Sequence, residues 1–167
     1  MKERLYSIRT KWGTFAAGFT DGGLSRFEFP RGAASRRERL PKLTPGDELA
    51  AARLLADLRR YFAGEPVRFR TPLDLSAGTA FQQKVWRRMS RIPYGRVVTY
   101  GRIARDVASP GAARAVGSAC GRNPVGLVNP CHRVVASNGI GGFGGGLRLK
   151  RRLLRHEGVD PEALEAR

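Results

Sequence analysis

Apolar residues alternate with polar ones through the first thirty positions and then, from residue 79, fall at helical spacing, so the chain must fold as two differently built halves. Over residues 5–29 the alternating set is Tyr6, Ile8, Phe15, Phe19, Leu24, Phe27 and Phe29, punctuated by Trp12-Gly13 and Asp21-Gly22-Gly23. Period-two runs broken by glycine turns specify a meander of short antiparallel strands. Residues 31–42 are polar, Arg-rich and aperiodic, which predicts an exposed loop. Thr44-Pro45 then offers an N-cap and a first-turn proline for an amphipathic helix that carries Ala51, Leu54, Leu55, Leu58, Tyr61 and Phe62 and ends at Gly64. Residues 67–75 read as one more strand and Ser76-Ala77-Gly78 as a linker. The expected organisation is α+β: a small domain over 1–76 with an antiparallel sheet and a helix, and a mainly helical domain over 77–167.

In the second half Thr79 and Gln82 form a capping-box pair ahead of Phe81, Val85, Trp86, Met89 and Ile92, which share one helical face. A turn at Pro93-Tyr94-Gly95 ends that helix. Tyr100, Ile103, Ala104 and Val107 then mark a short helix, Ser109-Pro110-Gly111 breaks it, and residues 112–122 form another, giving a helix-turn-helix pattern. In the second of these helices Ala115, Val116 and Ala119 can face inward. Ala113, Gly117, Ser118 and Gly121 leave a nearly bare outer surface beside Arg114 and Arg122. Small side chains admit a close partner, and both a nucleic-acid backbone and a tightly packed neighbouring helix fit that description.

Charge bears on the choice. Lys and Arg number 31 against 14 Asp and Glu, a net charge of +17, and such a field attracts polyanions; the alternative is a solvated basic surface. No apolar run approaches the ~20 residues that cross a bilayer, and the N-terminus lacks the apolar stretch of a secretory signal. Two cysteines, Cys120 and Cys131, are too few for a secreted disulfide framework and point to a reducing cytoplasm. With His132 and His156 they lack the paired spacing of a structural zinc site, so no metal is expected.

The dipeptide Cys131-His132 is compatible with an activated thiol nucleophile and with a buried inert cysteine, the commoner fate of that residue. Its surroundings, Pro130-Cys131-His132-Arg133-Val134, resemble the active-site motif of the O6-alkylguanine-DNA alkyltransferases, also called methylated-DNA–protein-cysteine methyltransferases. Phe81-Gln82-Gln83-Lys84-Val85-Trp86, Ile92-Pro93-Tyr94-Gly95, Thr99-Tyr100, Ala112-Ala113-Arg114-Ala115-Val116-Gly117, Asn123-Pro124, Gly145-Gly146 and Leu153-Leu154-Arg155-His156-Glu157-Gly158 are similar to family segments in the same order. The resemblance is continuous over residues 79–158, whereas the N-terminal half shares only the coarse pattern.

That resemblance implies a ribonuclease-H-like N-terminal domain and a winged-helix-like C-terminal domain carrying the reactive cysteine. It implies a stoichiometric, irreversible, cofactor-free transfer of an alkyl group from guanine O6 to Cys131, whose proton passes through a water to His132, oriented by Glu157. Tyr100 would donate to guanine N3 and the Gly144 N–H would meet O6. The Cys131 and Val134 carbonyls would accept from the guanine amino group, and the loop 141–146 with Phe143 would shape the pocket. Because an in-duplex base is out of reach, the nucleotide must flip, and Arg114 would fill the space it leaves. The helix bearing Ala113, Gly117, Ser118 and Arg122 would lie in the minor groove of double-stranded DNA with little sequence preference. Asn123 would hold the turn that follows it. A monomer in a bacterial or archaeal cytoplasm is expected.

Asn129 departs from the family, which has an aliphatic residue before the Pro-Cys pair. No Cys or His precedes Cys120, so the N-terminal zinc site of some members is not expected. The last helix, 147–156, carries Arg148, Lys150, Arg151, Arg152 and Arg155 around Leu149, Leu153 and Leu154; its charges could reach phosphate or face solvent, and solvent is the expectation because charge runs on helices usually face it. Three other functions fit less: a lesion binder without transfer would lack Cys131, a helix-turn-helix transcription factor would show sequence preference, and a cysteine hydrolase has no use for a basic helix pair.

Overall fold

Alternation in the N-terminal third produces the expected meander in the computed structural model, which describes residues 3–30 and 45–166. The predicted loop at 31–42 and the N-cap Thr44 lie outside the described residues. Contacts divide the chain into two units, Met1–Leu75 with Pro124–Val128, and Ser76–Asn123 with Asn129–Arg167.

In the first unit β1 (Arg4–Thr10), β2 (Gly13–Thr20) and β3 (Gly23–Glu28) form an antiparallel sheet in the order β1-β2-β3. The register sets Ile8 opposite Phe15 and Phe19 opposite Leu24. One sheet face therefore buries Tyr6, Ile8, Phe15, Ala17, Phe19, Leu24 and Phe27. Helix α1 (Pro45–Phe62) contributes Leu54, Leu58, Tyr61 and Phe62 to that core, where the Phe15 and Phe27 rings stack at 4.9 Å. Buried Asp47, in the first turn of α1, accepts from Arg4 Nε at 2.5 Å and from the Tyr6 hydroxyl at 3.1 Å. The helix stops at Phe62, and Gly64, with φ of +89°, takes the left-handed conformation that closes many helices.

Residues 67–75, expected as a strand, make one parallel bridge among the described residues, Leu73 to Leu24, with hydrogen bonds from Leu24 N to Pro72 O and from Asp74 N to Leu24 O. Pro66 and Pro72 lack the N–H that a longer ladder needs. Pro124–Val128, placed with the second domain from sequence, groups with the first unit because Phe27 donates its N–H to Pro124 O and bridges Val125.

The second unit begins with α2 (Ala80–Met89), whose capping box is complete: Thr79 accepts from Gln82 N, and the Gln82 side chain accepts from Thr79 N. Its inner face buries Val85, Trp86 and Met89, and Trp86 Nε1 donates to Ala119 O at 2.8 Å. A two-residue strand β4 (Val98–Thr99) runs parallel to β5 (Val134–Val135). Thr99 then caps α3 (Tyr100–Asp106), and α4 (Ala113–Gly121) follows after a break where Ala108 and Gly111 take positive φ. Val116, Ala119 and Cys120 are the buried face of α4; Ala115, expected inside, is exposed, and Cys120 occupies the stripe instead.

A 3-10 turn over Cys131–Arg133 leads into β5. Helix α5 (Leu147–His156) is followed by a short α6 (Pro161–Glu165), capped by Asp160, which sequence periodicity did not reveal. Arg148, Arg152 and Arg155 of α5 are exposed, as expected, but Lys150 has no exposed surface at all. It precedes Leu153 and Leu154 by three and four residues and so falls on their apolar stripe. No described helix is long and apolar enough to cross a membrane.

Candidate functional site

The short β4–β5 ladder brings the start of α3 beside the Cys131 turn, and α4 packs against α3, so residues distant in sequence share one cavity within the second unit. The cavity measures about 780 Å³ and is lined by Tyr100 from α3, Gly117 and Cys120 from α4, Cys131, and Gly142 and Gly144 from the glycine loop. Gly141 in that loop has φ of +70°, and a Cβ there would stand 2.8 Å from Tyr100 Cε2. Glycine is therefore what lets the loop pass behind the phenol.

Cys131 is nine-tenths buried, and its N–H donates to Asn129 O at 2.9 Å. Burial pushes its thiol above the ordinary range; a hydrogen bond from the Asn123 side chain and the charge of Lys150 pull the other way. Asn123 Nδ2 also donates to Asn129 O at 2.8 Å, tying the end of α4 to the residue two before the cysteine. The side chain of Asn129 is fully buried, and neither its oxygen nor its nitrogen has a hydrogen-bond partner among the described residues.

Behind the cysteine lies a closed polar cluster. His132 Nε2 meets Glu157 Oε1 at 2.6 Å, Arg133 Nε donates to Glu157 Oε2 at 2.8 Å, and Arg133 Nη2 reaches Oε1 at 3.0 Å. Gly95 N adds a bond to Oε2 at 3.2 Å, and Arg133 Nη1 donates to Ile92 O at 2.6 Å. Burial alone would raise the Glu157 carboxyl, but the bonds and charges of His132 and Arg133 hold it down at about 2. Burial lowers His132 below its usual range despite that carboxylate. A neutral imidazole facing an ionised carboxylate places its proton on Nε2, so Nδ1 is a lone-pair acceptor; it has no protein partner. The motif arginine, Arg133, thus neutralises Glu157 and leaves the histidine free to stay neutral.

Tyr100 is half-buried, and its hydroxyl donates to Gly142 O at 3.2 Å. Burial, with the two nearby thiols, pushes the phenol up to about 12, so it keeps its proton at neutral pH. Lys150 Nζ enters from α5, donating to Val134 O at 2.6 Å and Gly142 O at 3.0 Å. Sequence patterning pointed the other way for this residue, its one signal being the spacing to Leu153 and Leu154.

The remaining expected positions fall in three groups. Ala113, Arg114, Gly117, Phe143 and Gly144 line the cavity, with Arg114 exposed on the first turn of α4. Ser118 on α4 and Arg122 just past its end are exposed but are not among the lining residues. Val134 has no exposed surface, and its carbonyl already accepts from Lys150.

Comparison with known proteins covers the same elements. Residues 80–159 match the family described as 6-O-methylguanine DNA methyltransferase, DNA binding domain. The chain is 52% identical over 101 residues to the methylated-DNA–protein-cysteine methyltransferase of Mycobacterium bovis, a segment spanning 60% of this chain and 61% of that relative's length. The Shigella flexneri protein of the same name is 45% identical over 122 residues, 72% of this chain and 68% of the relative. The crystal structure of Mycobacterium tuberculosis OGT in complex with DNA superposes with a TM-score of 0.73 at 37% identity, covering 96% of this chain and 98% of that one.

Proposed function

This chain belongs to the methylated-DNA–protein-cysteine methyltransferase family, and on that premise we propose that it repairs DNA by direct reversal, moving an alkyl group from guanine O6 to Cys131. The observation that carries the reading is a thiol in the wall of a cavity with room for a base, next in sequence to a buried neutral histidine and sharing that wall with a protonated phenol.

In this reaction the Cys131 thiol gives its proton, through one water, to the free Nδ1 lone pair of His132. Glu157 stabilises the imidazolium that results, and Arg133 keeps the carboxylate ionised. The sulfur lone pair forms the S–C bond to the alkyl carbon as the C–O6 bond breaks, and its electron pair passes to O6 and the purine ring. Tyr100 donates toward guanine N3 and the Gly144 N–H toward O6, where that negative charge develops. The products are an S-alkylcysteine and guanine. No cofactor enters the balance, and the thioether cannot be attacked again, so each molecule acts once.

Flipping the nucleotide costs a few kcal/mol, least for a badly paired base, and Arg114 at the cavity rim would occupy the vacated stack. The small-residue face of α4, Ala113, Gly117 and Ser118 with Arg122 at its end, would lie in the minor groove, and the net charge of +17 would supply affinity of low sequence specificity. The M. tuberculosis relative in complex with DNA supports that partner. Two free cysteines support a reducing cytoplasm, at the nucleoid, as its place of action. Incubation with an oligonucleotide carrying O6-methylguanine, followed by intact mass, should show the gain of one methyl group on the peptide holding Cys131, absent in Cys131→Ala. No gain on the wild-type chain overturns the function.

A further inference from the structure

An ammonium with no exposed surface and no carboxylate beside it is among the least favourable things a fold can bury. Lys150 is such a group: among the described residues it forms no ion pair, and both its hydrogen bonds go to carbonyl oxygens. A methionine would fill the same apolar stripe of α5 without that penalty. What distinguishes Lys150 is where its nitrogen sits. Val134 belongs to the strand leaving the Cys131 turn and Gly142 to the glycine loop, and the Gly142 carbonyl also accepts from the Tyr100 hydroxyl. The nitrogen lies 5.9 Å from the centre of the Tyr100 ring.

We propose that Lys150 is a positioning residue for the alkyl transfer: its ammonium staples the glycine loop to the strand after Cys131, holds the Tyr100 hydroxyl through their shared Gly142 carbonyl, and supplies the positive field that favours the Cys131 thiolate. The inference rests on the repair reading for the meaning of the transfer, but its physical content concerns the pocket alone. Four ionisable groups face the ammonium: Tyr100 from α3, Cys120 from α4, and Cys131 and His132 from the 3-10 turn. Both thiols raise its affinity for a proton, it in turn eases the ionisation of both, and it helps keep His132 neutral. Burial, the largest influence, brings Lys150 down to about 8, so at neutral pH the charge is present but no longer fixed. Charge on Lys150 and charge on Cys131 therefore promote each other, and loss of either weakens the other.

The test uses a probe that needs no lesion. The rate of Cys131 carbamidomethylation by iodoacetamide, read by peptide mass against pH, should shift to higher pH in Lys150→Met and fall about tenfold at pH 7 for each unit of that shift. Lys150→Arg should recover most of it. Methyl transfer from an O6-methylguanine oligonucleotide should slow in Lys150→Met at saturating DNA while the DNA dissociation constant holds. A folded Lys150→Met chain with the wild-type pH profile overturns the proposal. Should that variant not fold, Lys150→Gln supplies the same test: its iodoacetamide profile should shift to higher pH as well, and a folded Lys150→Gln chain with the wild-type profile overturns the proposal equally. A wild-type chain that reacts with iodoacetamide but takes no methyl group from DNA overturns the repair function and leaves this coupling measured.

Discussion

Replacing Glu157 by Gln removes one charge and little volume from the most tightly bonded polar cluster of the second unit. The carboxylate accepts from His132 Nε2, Arg133 Nε, Arg133 Nη2 and Gly95 N at 2.6, 2.8, 3.0 and 3.2 Å. An amide has one acceptor oxygen instead of two and turns its own N–H groups toward donors. The Arg133 guanidinium is then buried without a counter-charge, a change that costs about 3–5 kcal/mol. A second route gives a similar size. The carboxyl is held from its ordinary 4.5 to about 2, and at about 1.4 kcal/mol per pH unit that gap is worth about 3 kcal/mol. Because the folded group is the stronger acid, the contribution is complete above pH ~4.5 and is lost as pH falls toward ~2. In Glu157→Gln that acid limb should vanish. The imidazole is affected too, since the new amide can donate to Nε2 and drive the His132 proton to Nδ1, removing the lone pair that receives the thiol proton. General-base assistance is commonly worth about 10²–10⁴ in rate, so methyl transfer should fall by at least ~10². Guanidinium unfolding between pH 2 and 7, followed by Trp86 in a Trp12→Phe background, measures the stability, and single-turnover transfer measures the rate. A variant as stable as the wild type at pH 7, with the same loss toward acid, would falsify the account of this cluster.

Three further outcomes are expected. Gly141→Ala combines a positive φ, unfavourable for alanine by about 1–2 kcal/mol, with a Cβ 2.8 Å from Tyr100 Cε2 and 3.1 Å from Ala136 N; thermal scans should show a lower Tm, and transfer should slow at unchanged DNA affinity, whereas a wild-type rate would mean that the phenol does not need this placement. Asn129→Leu replaces two buried, unpartnered polar atoms with apolar ones of similar branching, and should raise stability by about 1–3 kcal/mol; a fall in Tm would show that the amide is partnered in solution. Arg114→Ala should weaken repair of a lesion in duplex DNA far more than attack on free O6-benzylguanine, and equal losses on the two substrates would remove Arg114 from the flipping role.

Elements specified by local chemistry were legible in the sequence. The Thr79–Gln82 capping box, the glycine-punctuated meander and the helix pair around Ser109-Pro110-Gly111 each depend on residues within one or two turns of one another. Features fixed by distant partners were not. Residues 67–75 have strand-like composition, but among the described residues they bridge Leu24 alone, and Pro66 and Pro72 withhold donors. Ala115 is apolar enough to be buried, yet nothing covers it, and the thiol of Cys120 packs against Met89 Sδ at 3.4 Å instead. Lys150 read as one more charge in a basic helix because periodicity weighs residue type, while the two carbonyls that receive its nitrogen come from residues 8 and 16 positions away. The Cys131-His132-Arg133 segment was legible only through its resemblance. By itself the dipeptide did not say that Arg133 would hold the carboxylate that orients the histidine.

Burial pushes four groups around this cavity in the direction of neutrality: it raises Cys131 and Tyr100 and lowers His132 and Lys150. A resting site of neutral thiol, neutral imidazole and protonated phenol is inert toward solvent and toward stray electrophiles, because the reactive ion is scarce. Forming the thiolate would then require a charge pair in a poorly solvated space, and in the proposed mechanism Glu157 answers the imidazolium and Lys150 the sulfur. If Cys131 takes the alkyl group as proposed, the sulfur charge is removed for good, since a thioether cannot ionise, and a proton collected by His132 could return to the purine that leaves. The same burial that makes the thiolate hard to form therefore makes the alkylated product hard to reverse. On the proposed function, single use of the protein would follow from that chemistry, because a sulfur that has taken the alkyl group has no charge left with which to attack.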